Sequence, residues 1–201
     1  MALLLRDLCE LRGKSFLGLR AATLLGMMLF CGMVTVAAVS FAQAPSTGVV
    51  EAHAIAATDA AHPNSTLKIA VVAQVAPGYH INDHKPTLDY LIPTVLQLEP
   101  SPQITVKDVI YPKGTMVKLA FSDSALSVYE GTVAVGAVLD IAKAVPPGSY
   151  PVKGMVKYQA CNDHACLPPT NAPLTLTVKV VPRSVPLKPV ESVVFQRIKF
   201  E

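Results

Sequence analysis

Charge is scarce in this chain and nowhere gathers into a basic run. Charged residues make up 15% of the sequence, against 51% hydrophobic. The formal net charge is +3, yet Arg6, Arg12, Lys14 and Arg20 all fall within the first twenty residues. Beyond residue 42, 13 basic and 12 acidic side chains remain, close to neutrality. A nucleic-acid binder carries a basic patch or stripe, so no nucleic-acid partner is expected. Tryptophan is absent and aromatic residues reach only 6%. No internal repeat is visible, which argues against a solenoid. A Ser-His-Asp pattern, a phosphate-cradling glycine loop and paired carboxylates in a catalytic context are all missing, so the common hydrolase and nucleotide motifs have no foothold. Beyond residue 45 no long amphipathic helical pattern occurs. Cysteine is sparse as well: of four, Cys9 and Cys31 lie near the N-terminus, leaving Cys161 and Cys166 for the rest.

The N-terminal segment accounts for part of the apolar excess. Ala21 to Val39 carries no charge, follows a basic stretch, and precedes the small residues of Ser40-Phe41-Ala42 and Gln43-Ala44. This is the layout of a secretory signal peptide. The apolar run also approaches the ~20 residues that span a bilayer, and its basic end suits a cytoplasmic anchor. Residues 1–42 therefore read as a cleaved signal peptide or a retained membrane-anchor helix. Either delivers the remainder outside the cytoplasm, where disulfides form and persist.

The region 43–66, rich in Ala, Ser, Thr and Gly, reads as a linker. From Leu67 the pattern turns strand-like: Leu67, Ile69, Val71, Ala73 and Val75 share one face of a period-2 segment. Ala76-Pro77-Gly78 is a turn signal. Further strands are expected at Tyr90 to Leu98, Ile104 to Tyr111, Met116 to Phe121, Thr132 to Leu139, Ser149 to Tyr158 and Leu174 to Val181. Proline and glycine punctuate the gaps, for example Pro100, Pro112, Gly114, Pro147 and Gly148. Short strands with regular turn signals indicate an all-β sandwich or barrel over residues 67–181. Residues 182–201 form a proline-containing tail, either packed on the sandwich or loose.

The segment Tyr158-Gln159-Ala160-Cys161-Asn162-Asp163-His164-Ala165-Cys166-Leu167-Pro168-Pro169 carries the most chemical information. Its cysteines sit five positions apart at the end of an expected strand, and Asn162-Asp163 suits a tight turn. Closing a six-residue loop stabilises a fold by only about 2 kcal/mol in the chain-entropy model. Such a bridge does little to hold two sheets together and is free to open and close while the domain stays folded. Exchange requires a thiolate attacking a disulfide sulfur, and a protonated His164 between the cysteines favours a thiolate. A structural staple and a metal site remain alternatives at this point.

These residues resemble the N-terminal periplasmic domain of the thiol:disulfide interchange protein DsbD family. The aromatic-Gln-small-Cys lead-in, the second cysteine and Pro168-Pro169 carry the resemblance most specifically. Gly78-Tyr79, Tyr111-Pro112-Lys113-Gly114 and Val128-Tyr129-Glu130-Gly131 match more weakly. The resemblance implies an immunoglobulin-like β-sandwich that relays reducing equivalents. The donor would be a membrane thiol-disulfide reductase or a thioredoxin-like domain; the acceptors would be exported disulfide isomerases or cytochrome c maturation factors. No cofactor is implied beyond the cysteines. Cys166 would form the mixed disulfide and Cys161 would resolve it. Phe121 falls where the family carries a cap phenylalanine, and Tyr79, His80, Asn82, Tyr158 and His164 complete the expected surroundings. The chain departs from the family pattern in three places: the cysteine loop is one residue shorter than in the best-known member, Leu119-Ala120 replaces an acidic pair, and Tyr79-His80-Ile81-Asn82 replaces a tyrosine-rich run.

Two other functions compete with the relay. One is a non-catalytic immunoglobulin-like binding module with a structural disulfide. The other is a metal-handling protein using His80, His84, His164 and the cysteines. His80 and His84, beside Asn82, Asp83 and Pro86, read more simply as solvated loop histidines.

Overall fold

The computed structural model describes residues 48–119, 122–190 and 192–200. The proposed leader or anchor, and the expected cap residue Phe121, lie outside these residues. Among the described residues no helix is long and apolar enough to cross a membrane.

The architecture follows from alternation. Strands β1 (Val50–Ala56), β2 (Ser65–Val75), β5 (Ile104–Ile110) and β8 (Thr132–Ile141) form one antiparallel sheet in the order β1-β2-β8-β5. A second sheet, β11-β9-β4, contains β4 (Val95–Leu98), β9 (Gly148–Tyr158) and β11 (Thr170–Val180). Every second residue of β2, from Leu67 to Val75, is buried, and Val133, Val135, Ala137, Leu139 and Ile141 of β8 lie in the same core. Val152, Val156 and Tyr158 of β9, with Ala172, Leu174, Val178 and Val180 of β11, supply the facing layer. Period-2 burial on two facing antiparallel sheets is the sandwich arrangement. The chain is an all-β, immunoglobulin-like domain.

A third, smaller sheet lies beside these two and bears the site. It has the order β10-β3-β7-β6, from β3 (His80–Asn82), β6 (Thr115–Lys118), β7 (Ala125–Tyr129) and β10 (Ala160–Cys161). Leu91, Leu119, Leu126 and Val128 give it a separate small apolar cluster.

Four expectations need correction. Residues 43–66 are not wholly a linker: β1 pairs with β2 from Val50↔Val75 to Ala56↔Ile69. Its alternate alanines have little strand propensity of their own, and the cross-strand pairing supplies what propensity does not. The strand expected from Tyr90 begins at Val95, because side chains tie the preceding residues into a loop. Asn82 donates to the Ile92 carbonyl at 2.9 Å, and Thr94 Oγ1 donates to the Asn82 carbonyl at 2.6 Å. Strands β3, β7 and β10 were not foreseen as strands. Finally, His80 is no solvated loop histidine but lies buried within β3.

The tail is packed. Pro189 bridges to Thr58, and Val190 N–H donates to the Ala57 carbonyl at 2.9 Å. After a single turn of helix, α1 (Val193–Gln196), Ile198 and Phe200 cover Gly136 on the outer face of β8. A Cβ there would stand 2.5 Å from Ile198 Cγ2, so glycine provides the notch that seats them. Lys68 Nζ lies 5.0 Å from the Phe200 ring centroid, within cation–π range.

Candidate redox site

Cys161 ends β10 and Cys166 follows a four-residue turn. The turn is built by Asn162, whose Oδ1 accepts from the backbone N–H of His164 and Ala165, both at 2.9 Å. Its own N–H donates to the Ala165 carbonyl at 3.0 Å. Below the turn, Leu167 N–H donates to the Ala160 carbonyl at 2.8 Å. This tight hairpin sets the two cysteines opposite each other, Cα atoms 3.9 Å apart, and their sulfurs are bonded. The two residues are very unequally placed: Cys161 is 1% exposed, whereas Cys166 is on the exposed side of the turn. A thiolate attacks only a sulfur it can reach, so the geometry favours Cys166 as the outward-facing atom.

Beneath the hairpin, β10 pairs with β3 in the register Cys161↔His80 and Ala160↔Ile81. Directly opposed residues project from the same face of an antiparallel pair, with Cβ atoms ~4.5–5.5 Å apart. His80 is 4% exposed, and among the described residues its Nε2 has no hydrogen-bond partner. An unsatisfied buried polar group costs about 1–3 kcal/mol. Burial pushes the imidazole pKa below its ordinary value, against the upward pull of Glu130 and Asp163.

The ring borders an open cleft of about 600 Å³ between the Val75–Tyr79 turn, Val117 to Leu119, Glu130 and Asp163. Half-buried Tyr79 lines this cleft too, held by the turn bond from its N–H to the Ala76 carbonyl at 3.1 Å. Gly78 makes that turn at φ 78°, a conformation in which glycine is the residue of least cost.

The other expected surroundings are more dispersed. Tyr158 is a buried core pillar whose hydroxyl accepts from Val50 N–H at 3.3 Å, fixing the start of β1. Asn82 turns to the Ile92 loop rather than to the sulfurs. His164 is exposed at the tip of the cysteine turn. His84 is partly buried, its ring stacked on Tyr111 with centroids 3.6 Å apart, which corrects its reading as a solvated histidine. Among the described residues, no three His, Cys, Asp or Glu side chains are grouped to hold a metal ion.

One polar centre was not singled out from the sequence. Asp83 Oδ1 accepts from Tyr129 Oη at 2.6 Å, and its Oδ2 accepts from Ser127 Oγ at 2.6 Å and Gly114 N–H at 3.2 Å. Burial raises the carboxyl pKa, but these bonds, with one from Lys85 N–H, outweigh it and hold the group below its ordinary value. Burial, reinforced by the bond to Asp83, keeps the Tyr129 hydroxyl protonated well beyond the ordinary tyrosine range. Gly114 is required here: a Cβ would stand 2.5 Å from Ser127 Oγ and 2.6 Å from Asp83 Oδ2. The weak motifs Tyr111-Pro112-Lys113-Gly114 and Val128-Tyr129-Glu130-Gly131 thus meet at one carboxylate.

The family model for the N-terminal region of thiol:disulfide interchange protein DsbD matches residues 47–177. The chain belongs to this DsbD N-terminal family. Its domain is a thiol–disulfide exchange domain, and the disulfide described above lies within the matched span. No curated protein matches the chain. Among solved structures it is similar to the N-terminal periplasmic domain of ScsB from Proteus mirabilis, at 18% identity and a TM-score of 0.45, covering 67% of this chain and 48% of that one. The chain therefore spans about half the length of that neighbour. It is also similar to a structure of the complex between the DsbD and PilB N-terminal domains from Neisseria meningitidis, at 21% identity and a TM-score of 0.35, covering 61% of this chain and 80% of that one.

Proposed function

We propose that this domain works outside the cytoplasm as a relay, carrying two electrons at a time from a reductase to exported proteins. The observation that carries this reading is the asymmetry of the disulfide: one cysteine is exposed on a short turn, and its partner is sealed into a sheet edge. The donor is a membrane thiol-disulfide reductase or a thioredoxin-like domain. The acceptors are exported disulfide isomerases or cytochrome c maturation proteins. Residues 1–42 serve as signal peptide or anchor, and the Cys161–Cys166 chemistry uses no cofactor.

In the reducing direction, the Cys166 thiolate attacks one sulfur of an acceptor disulfide. A Cys166–acceptor bond forms, and the other acceptor sulfur leaves as thiolate. Cys161, once deprotonated, then attacks Cys166 Sγ. The Cys161–Cys166 bond forms, the mixed disulfide breaks, and the acceptor departs as dithiol after taking up protons. Two electrons have moved from the cysteine pair to the acceptor. The short loop suits this cycle, because opening it removes only about 2 kcal/mol of chain-entropy stabilisation. Tyr79, His80 and His164 form the surroundings of the pair in this reading, with Phe121 as the cap that shields it until a partner displaces it.

Two measurements on the full chain test this. Structural disulfides of secreted proteins lie below about −300 mV, and the relay requires a less negative potential; a much lower value would defeat it. In Cys161→Ser, a disulfide-bearing partner should be trapped through Cys166. Adducts recovered only through Cys161, in Cys166→Ser, would reverse the two roles.

A further inference from the structure

Nearly every buried polar side chain near the cysteine hairpin has a partner. Asn82, Asp83 and Thr94 are each hydrogen-bonded. His80 is the exception among the described residues, and it stands directly across the strand pair from Cys161. On its other side β3 pairs with β7 through Ile81↔Tyr129, and Glu130, the next residue, lines the same cleft as His80. Cys161 and His80 are therefore directly opposed on one face of the small sheet, with Glu130 bordering the same cleft as the ring. We propose that His80 is the proton acceptor and donor for Cys161, with Glu130 steadying the charged ring.

The proposal rests on the thiol-exchange reading and assigns a role within it. In the oxidised state Cys161 carries no proton to donate, and among the described residues His80 Nε2 has no hydrogen-bond partner. In the mixed-disulfide state Cys161 is a thiol. Its proton passes to the neutral imidazole, the thiolate attacks Cys166 Sγ, and the partner sulfur leaves as thiolate. The proton held on the imidazolium then exits by the adjoining cleft. On re-reduction the same ring returns a proton to the Cys161 thiolate as that sulfur is released. No electrons pass through the ring.

The environment suits a ring that rests in its neutral form. Burial favours the neutral ring, which is the accepting form, while Glu130 and Asp163 stabilise the cation once it forms. The charged groups bordering the cleft are Glu130 after β7, Asp163 in the cysteine turn, Lys118 on β6 and Glu51 on β1. A base within reach of its nucleophile and oriented by a third group is the general arrangement for activating a thiol.

The test follows resolution separately from attack. Reduced full-length protein is mixed with oxidised glutathione, quenched in acid at intervals and alkylated. Mass spectrometry then counts the Cys166 glutathione adduct and the closed disulfide. In His80→Gln the adduct should form at the wild-type rate, but closure should slow at least about tenfold at a pH of about 6.5. The deficit should shrink as pH rises, because hydroxide then takes the Cys161 proton without the ring. Equal closure rates and pH profiles in variant and wild type would overturn the proposal. A wild type that forms neither adduct nor disulfide, with glutathione and with an oxidised thioredoxin-like protein alike, would instead defeat the exchange reading itself. Should His80→Gln not fold, the wild-type ring is titrated by NMR in both redox states. The midpoint should differ between them, and an identical midpoint would overturn the proposal.

Discussion

The small sheet holds two polar centres built from neighbouring strands, and they are finished to different degrees. Around Asp83 both carboxylate oxygens are engaged, by Tyr129, Ser127 and the Gly114 N–H, and the carboxyl is held ionised. Around the cysteines one residue is exposed, the other buried, and Nε2 of a buried imidazole beside it has no partner among the described residues. A completed network rigidifies. An incomplete one is costly and persists where another state completes it. Asp83 thus fastens β3 to β7 and to the segment leading into β6, and the cysteine hairpin keeps its freedom to change bonding. The firm centre sits beside the changeable one and keeps β3, which carries His80, in place while sulfur bonds form and break.

The comparison can be broken most forcefully at Asp83. Asp83→Asn replaces a charged acceptor with an amide that cannot accept the same set of bonds, and should cost about 2–3 kcal/mol. Denaturant unfolding would show this. The sign of the pH dependence follows from the depressed pKa. The contribution is present above the ordinary aspartate pKa of the unfolded chain and is lost as pH falls through the lower folded value. The wild type should therefore lose more stability than Asp83→Asn on acidification below a pH of about 4. Parallel loss in both proteins would mean that the carboxylate is not the fastening.

Opening the disulfide should have a slightly smaller effect. Reduction should lower stability by about 2 kcal/mol and leave the β-sheet circular dichroism intact. Unfolding on reduction would make the bridge a staple and erase the contrast between the two centres.

The smallest effect is expected at Asn162, whose side chain shapes an exposed turn by accepting two backbone N–H groups. Asn162→Ala should cost less than about 1 kcal/mol in thermal melts of the oxidised protein. A larger loss would show that the turn supports more of the fold than its exposure indicates.

Much of the scaffold was legible in the sequence. The alternation Leu67, Ile69, Val71, Ala73, Val75 announced β2, and the long strands β8, β9 and β11 follow the same rule. The cysteine spacing marked the hairpin. What escaped were elements too short or too weakly patterned to carry a period: three-residue β3, two-residue β10 and the alanine-bearing β1. Asp83 escaped because Gly114, Ser127 and Tyr129, which engage it, lie 31 to 46 positions away. A lone aspartate in a turn-like stretch gives no sign of such bonds.

By itself the sequence determined the period-2 faces, the turn positions and the cysteine loop, because these depend on residues a few places apart. Tertiary structure decided which cysteine is buried, that a histidine resembling loop sequence lies across a strand from it, and that the tail closes over Gly136. Those outcomes are set by pairing between distant segments. Burial, hydrogen-bond satisfaction and the ionisation of a buried group exist only after that pairing has excluded water.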